Sequence, residues 1–94
     1  MGTMKDKSKN DLGLNIAVLD RGWVFVGRVT TDAEHVTITK GACVRYWGTK
    51  NGLGELASNG PQSQTKLDPV DAVKFSPRAL LFLLPCAEEK WKGY

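Results

Sequence analysis

The sequence predicts an all-β fold, a strongly bent five-stranded small barrel with a long loop between its third and fourth strands. Three observations lead to this prediction. The chain has 94 residues, which is enough for a single domain. Its apolar residues alternate with polar ones in several short segments, as they do in half-buried strands. No segment keeps the apolar spacing of an amphipathic α-helix for more than about two turns.

The domain is expected to follow a short polar tail. Residues 1–11 are predicted to form a flexible tail, and residues 12–94 to form the domain. The formal net charge is +3, of which residues 1–10 contribute +2 through Lys5, Lys7 and Lys9 against Asp6. The remaining +1 is too small to indicate a dedicated duplex-binding surface.

Hydropathy and cysteine content indicate a cytoplasmic protein with no membrane partner. The longest apolar run, 79–85, is far shorter than the roughly 20 residues of a membrane span, and the first residues lack the apolar segment of a signal peptide. Cys43 and Cys86 each lie in or beside an apolar segment and are predicted to be reduced, buried thiols. Together with the single histidine they are too few for a metal site.

The first two strands are predicted around a tight turn. Apolar residues alternate from Leu14 to Leu19, and Asp20-Arg-Gly22 then has the composition of a turn. The next segment, 23–29, is rich in β-branched and aromatic residues. Gly27 within it predicts a bulge or a sharp bend, which a small barrel needs in order to curl.

The third strand is predicted over residues 35–40, with Val36 and Ile38 facing inward. Gly41 is expected to break it, and residues 42–47 continue it. On strict alternation, one face carries Ala42, Val44 and Tyr46, and the other carries Cys43, Arg45 and Trp47.

The remaining chain is predicted to hold a long loop and two more strands. Residues 48–71 are rich in glycine and proline and are predicted to form the loop. A fourth strand is expected at 72–75, a turn at Ser76-Pro77, and the most apolar strand at 78–84. Residues 87–91 are predicted to form a short helix or a strap.

The order of these signals resembles the Sm-like family, which includes the Hfq-type RNA chaperones of bacteria. The resemblance lies in strand 14–19, the Arg21-Gly22 turn, the aromatic strand 23–29 with its Gly27, and the apolar segment 79–85. It implies a bent five-stranded barrel and a homo-oligomeric ring, in which the fourth strand of one subunit pairs with the fifth of the next. The interface residues so implied are Val73, Phe75, Leu80, Phe82 and Leu84.

The same resemblance implies a nucleic-acid site in the loop that follows the second strand. The family's base-stacking loop corresponds to residues 32–35, with His35 at the position of its asparagine. The family's Arg-Gly pair corresponds to Ser76-Pro77 here, and Arg78 is the nearest cation. His35 as an exposed polar residue, and Arg78 as a turn residue at a subunit contact, are the alternatives.

A second resemblance is to small proteins encoded in phages and prophages. It lies in segments 21–28, 44–57 and 59–61. The second of these contains a glycine-rich stretch, 47–56, that is suited to holding an anion, with Lys50 as a point charge and Trp47 as a stacking surface. The alternative is that its glycines make turns while Leu53 and Leu56 close the open end of the barrel.

The sequence therefore predicts a non-enzymatic oligomeric ring that binds single-stranded nucleic acid, RNA or DNA, without a cofactor. No nucleophile has an evident base and orienting partner. Base stacking and phosphate contacts are expected from His35, Arg45, Tyr46, Trp47, Lys50 and Arg78. The alternatives are an interaction module of a phage that sequesters a nucleotide-like ligand or a host protein through residues 48–61, or a purely structural component.

Overall fold

A computed structural model of the chain describes residues 10–92. Its regular elements are β1 (Asn10–Leu19), β2 (Val24–Thr31), β3 (Val36–Tyr46), α1 (Leu53–Asn59), β4 (Lys66–Phe75) and β5 (Leu80–Pro85). Short 3-10 turns follow β1, β4 and β5, at Asp20–Gly22, Pro77–Ala79 and Glu88–Lys90. All five strands are antiparallel and form one open sheet in the order β4-β3-β2-β1-β5. The prediction of a small five-stranded β fold is confirmed.

Two predicted boundaries differ from the structure. The tail prediction falls mostly on residues 1–9, which lie outside the described residues, and residues 10 and 11 begin β1. The segment 48–71 is not one irregular loop, because it contains α1 and the first six residues of β4. These six residues escaped prediction because Asp68, Pro69 and Asp71 are poor strand formers. Such residues are tolerated on β4 because it is an edge strand.

Both faces of the sheet carry apolar clusters. Alternation along β1 sends Ile16 to one cluster and Ala17 to the other. The α1 face buries Leu14, Ile16, Val24, Val26, Ala42, Val44, Leu56, Ala57 and Trp91. The opposite face buries Ala17, Leu19, Phe25, Val29, Val36 and Ile38, and partly buried side chains of β4 and β5 pack against them.

A bulge lies between β2 and β3 opposite Gly27, where the sequence predicts a bulge or a sharp bend. The register passes from Val26–Ala42 to Arg28–Thr39, so two residues of β3 oppose Gly27 alone. A Cβ on Gly41 would lie 1.9 Å from the Val26 carbonyl oxygen, so only glycine allows this approach of the two backbones. Contrary to prediction, β3 continues through Gly41 as one strand of 11 residues. The bulge, with Lys40 at φ +53°, absorbs the irregularity.

The C-terminal strap (residues 86–91) holds α1 against the sheet, as the sequence predicts for a short helix or strap at 87–91. The Trp91 side chain is only 1% exposed, and its indole N–H donates to the Ala57 carbonyl at 3.2 Å. The Ala87 N–H donates to the same carbonyl at 3.0 Å. Arg28 on β2 and Glu88 on the strap form two hydrogen bonds, of 2.6 and 3.0 Å. Helix α1 is therefore fixed from the C-terminus rather than by its chain neighbours.

Candidate functional site

A surface pocket of about 300 Å³ lies at the end of the sheet where β1 turns into β2 and where β3 ends. It is lined by Gly22, Val24, Val44, Arg45, Tyr46 and Trp47. Three of these residues, Arg45, Tyr46 and Trp47, are predicted site residues, and the structure brings them together. The pocket thus combines two aromatic side chains and a cation with a glycine backbone.

A second bulge explains why four consecutive residues of β3 and its extension line one pocket. Val44 pairs with Leu67 and Tyr46 pairs with Lys66 in the backbone register. Arg45 is therefore an extra residue in β3 that lies opposite no residue of β4. In a regular strand, successive side chains would point to opposite faces, and the alternation predicted for Arg45, Tyr46 and Trp47 is wrong for this reason. Bulges commonly redirect a side chain at a functional site.

Neighbouring groups hold the polar part of the pocket in position. The guanidinium Nε of Arg45 lies 2.8 Å from a carboxylate oxygen of Asp68 on β4, and both side chains are largely exposed. The Trp47 carbonyl accepts a hydrogen bond of 2.7 Å from the Thr65 hydroxyl. Gly48 adopts φ +67° against the backbone of residues 64 and 65, where a Cβ would clash. The turn after Trp47 is therefore tied to the strand that carries Asp68.

The apolar residues of segment 48–61 pack into the core. Leu56 and Ala57 of α1 are buried, and Leu53 packs against the same cluster, in agreement with the structural interpretation of this segment. Glu55 accepts a hydrogen bond of 2.9 Å from the Asn51 N–H, which closes the turn before the helix. Lys50 is exposed in that turn and is not among the residues that line the pocket.

His35 and Arg78 lie at the other end of the sheet. His35 directly precedes Val36, which begins β3, whereas Tyr46 ends that strand. Val36 pairs with Phe75, and Arg78 follows Phe75 by three residues in the β4–β5 connection. Apart from Lys50, the predicted binding residues therefore form two groups, with the pocket residues at one end of β3 and His35 and Arg78 at the other.

The loop before His35 is organised by Asp32. One carboxylate oxygen of Asp32 accepts hydrogen bonds from the backbone N–H groups of Glu34 at 2.8 Å and of His35 at 2.7 Å. These two bonds lower the pKa of Asp32 below its usual value. Asp32 therefore shapes the turn, and the His35 side chain is exposed beside it.

The predicted interface residues lie on the two edge strands. Val73, Phe75 and Leu80 are partly buried against the chain's own core, and Leu84 packs against the α1-side cluster. Phe82 is half exposed. Strand β4 carries Lys66, Asp68, Asp71 and Lys74, while the six residues of β5 include no charged side chain. The β5 edge therefore lacks the charges by which isolated sheets discourage pairing.

Trp23, which the sequence analysis does not include among the candidate site residues, lies exposed beside the pocket. Trp23 follows Gly22 of the pocket, is 56% exposed, and stacks on Phe25 with ring centroids 6.2 Å apart and planes 12° from parallel. Its position directly after the Arg21-Gly22 turn and before the first residue of β2 is the sequence feature that could have indicated an exposed side chain.

The two thiols are unsuited to nucleophilic chemistry. Both are free and partly buried. Burial raises the pKa of Cys86 to about 12 and raises that of Cys43 as well. Over residues 10–92, no three His, Cys, Asp or Glu side chains cluster in a way that could hold a metal ion. In the same part of the chain, neither the length nor the composition of any helix suits it to crossing a bilayer.

Comparisons of this chain with family models, with curated proteins and with solved structures found no match. The functional argument therefore rests on the geometry of the chain itself.

Proposed function

We propose that this protein is a non-enzymatic, Sm-like ring protein that binds single-stranded nucleic acid in the Tyr46–Trp47 pocket. The observation that carries the proposal is the bulge at Arg45, which turns Arg45, Tyr46 and Trp47 into one pocket beside Gly22. Aromatic faces stack on bases of any sequence, and a neighbouring cation offsets phosphate charge. Such a combination favours single strands, since bases inside a duplex are already stacked.

The ring part of the proposal is supported by the order of the strands. Strands β4 and β5 lie at the two edges of the sheet, and each has a neighbour on one side only. Pairing β4 of one copy with β5 of the next would satisfy both edges and cover the uncharged β5. This is the assembly that the resemblance to Sm-like proteins implies.

The binding test compares the two ends of the sheet. Binding of labelled oligouridine and oligoadenosine is measured at two ionic strengths for the wild type and for Trp47→Ala, Arg45→Gln and Arg78→Gln. We expect Trp47→Ala to weaken binding by about 5- to 150-fold, the range for loss of one stacked base. Arg45→Gln should reduce the salt dependence by about one phosphate contact, and Arg78→Gln should leave both affinity and salt dependence unchanged.

Two results would contradict this placement. Loss of affinity in Arg78→Gln with none in Arg45→Gln would move the site to the His35 end of the sheet. Failure of micromolar wild-type protein to retain either oligonucleotide would remove nucleic-acid binding altogether.

The assembly is tested separately by mass in solution. The wild type should have the mass of several chains, and Phe82→Lys should dissociate it, because a charge would enter the uncharged edge. Phe82 is half exposed, so the substitution leaves the folded subunit intact. A wild type that is a clean monomer would refute the ring.

The size of the pocket favours a second candidate, a protein that sequesters a nucleotide-like ligand. About 300 Å³ is at the small end of the range for sites that hold one small molecule. Under this alternative, a nucleoside monophosphate should raise the melting temperature as strongly as an oligonucleotide at equal occupancy. Trp47→Ala should abolish that rise.

A further inference from the structure

Trp23 and Phe25 form a stack beside the pocket. One face of the Trp23 ring rests on Phe25, and much of the rest of the side chain is exposed to solvent. Phe25 belongs to the buried cluster opposite α1, so it gives the Trp23 ring a fixed base. More than half of Trp23 nevertheless remains exposed to solvent. A large aromatic ring held in this way offers a stacking surface at little cost in side-chain entropy.

The stack and the pocket meet at Gly22. Gly22 lines the pocket and directly precedes Trp23, and the next residue, Val24, lines the pocket again. Because adjacent residues point to opposite sides of the chain, Trp23 lies just around the end of the sheet from the Tyr46–Trp47 pocket. Apart from its chain neighbours, no described residue has a heavy atom within 4 Å of the place where a Gly22 Cβ would be, so no other described segment covers the turn at that point.

Charge on this turn does not by itself attract a polyanion. Asp20 and Arg21 are both exposed and offset each other. Recognition at Trp23 must therefore come from stacking, whereas the cation of the site is Arg45 in the pocket.

We infer that Trp23 is a second stacking platform, which receives the base next to the one in the Tyr46–Trp47 pocket as the strand rounds the end of the sheet at Gly22. This inference rests on the proposed function, and it specifies the ligand as a strand of at least two nucleotides rather than a mononucleotide. The occupant is a continuation of the strand, because the platform adjoins the pocket through a single exposed glycine.

The experiment measures affinity for uridine monophosphate, a uridine dinucleotide and a longer oligouridine. The proteins are the wild type, Trp23→Ala, Trp23→Phe, Trp23→Leu and Leu12→Ala. Leu12 is a matched control, since it is a large exposed apolar side chain on the opposite end of β1.

We expect Trp23→Ala and Trp23→Leu to weaken oligouridine binding by about 5- to 150-fold and Trp23→Phe to retain most of it, because stacking requires an aromatic face. Affinity for the monophosphate should be unchanged in every variant, so the gain from monophosphate to dinucleotide should disappear in Trp23→Ala. The salt dependence of binding should equal that of the wild type, since Trp23 carries no charge.

Each contrary result has a distinct meaning. Wild-type affinity in Trp23→Ala, together with a loss in Trp47→Ala, would overturn the second platform and leave the proposed function standing. Equal losses for monophosphate and oligouridine would show that Trp23 only supports the pocket, which also overturns the inference. A change in assembly mass without a change in affinity would assign Trp23 to a contact between copies. A wild type that binds none of the three ligands would remove the proposed function as well.

Discussion

Replacing Trp91 by alanine should remove a large share of the protein's stability. Trp91 closes the C-terminal strap over α1, with its indole 1% exposed and its N–H bonded to the Ala57 carbonyl. The substitution leaves a cavity where the strap, Leu56 and Ala57 meet the sheet. The strap would then lose its main apolar contact with the rest of the domain.

The magnitude follows from the buried surface. A buried aromatic side chain removes about 150–250 Å² from water, which at about 25 cal/mol per Å² corresponds to roughly 4–6 kcal/mol. Measured losses for buried Trp→Ala substitutions are about 3–5 kcal/mol. A chain of this length is expected to have roughly 5–14 kcal/mol of total stability, so the variant is expected to be marginal at room temperature.

Urea unfolding followed by circular dichroism measures the effect, and Trp91→Phe gives an intermediate case. The phenylalanine keeps part of the apolar contact and loses the indole N–H together with part of the buried ring. The Ala57 carbonyl also accepts from the Ala87 N–H, so it keeps a partner. Trp91→Phe should therefore cost at least about 1 kcal/mol, or about 4–8 °C in melting temperature, and less than Trp91→Ala.

The reasoning fails if Trp91→Ala loses less than about 1 kcal/mol. Such a result would mean that α1 stays packed without the strap. Lys92→Ala, an exposed neighbour, is the control and should unfold at the wild-type urea concentration.

Three further outcomes are expected. Gly41→Ala should prevent folding, seen as loss of soluble, cooperatively melting protein, because its Cβ would meet the Val26 carbonyl oxygen; a cooperative melt at the wild-type temperature would contradict the bulge geometry. Hydrogen bonding to Arg28 lowers the pKa of Glu88 in the folded protein. The pair therefore stabilises the folded state fully at pH values above the pKa of an unfolded glutamate, and this stabilisation is lost as the pH falls through the folded-state pKa. Arg28→Gln should therefore flatten the acid limb of a plot of stability against pH, and an unchanged limb would exclude this pair as its source. Burial raises the pKa of Cys86 to about 12, so its thiol should react with a disulfide reagent at pH 8 far more slowly in native than in urea-unfolded protein; equal rates would show that it is accessible.

Local pattern predicted the strands well because alternation is a property of neighbouring residues. Leu14, Ile16 and Val18 all face the α1-side cluster, and Val36 and Ile38 are both buried, as expected. The turn at Asp20–Gly22 was equally readable from its composition. The first half of β4 was missed because its charges and proline suit an edge strand, and edge position depends on the whole sheet.

The candidate site was only partly predictable. Arg45, Tyr46 and Trp47 were identified as residue types that suit nucleic acid, but strict alternation placed Arg45 and Tyr46 on opposite faces. The bulge that reunites them arises from the pairing of β3 with β4, whose residues lie about 20 positions further along the chain. His35 and Arg78 were assigned to the same site by resemblance, and the strand register places them at the opposite end of the sheet.

Short-range chemistry in this chain specifies which segments become strands, where glycines permit turns, and which residues can stack on bases or offset phosphates. The arrangement of those residues depends on contacts between distant parts of the chain. Arg28 meets Glu88 across 60 positions, and Trp91 bonds to Ala57 across 34. Strand register and the closure of the strap over α1 result from such long-range contacts. One extra residue in a strand changes which face a side chain meets, and at Arg45 no local pattern signals it.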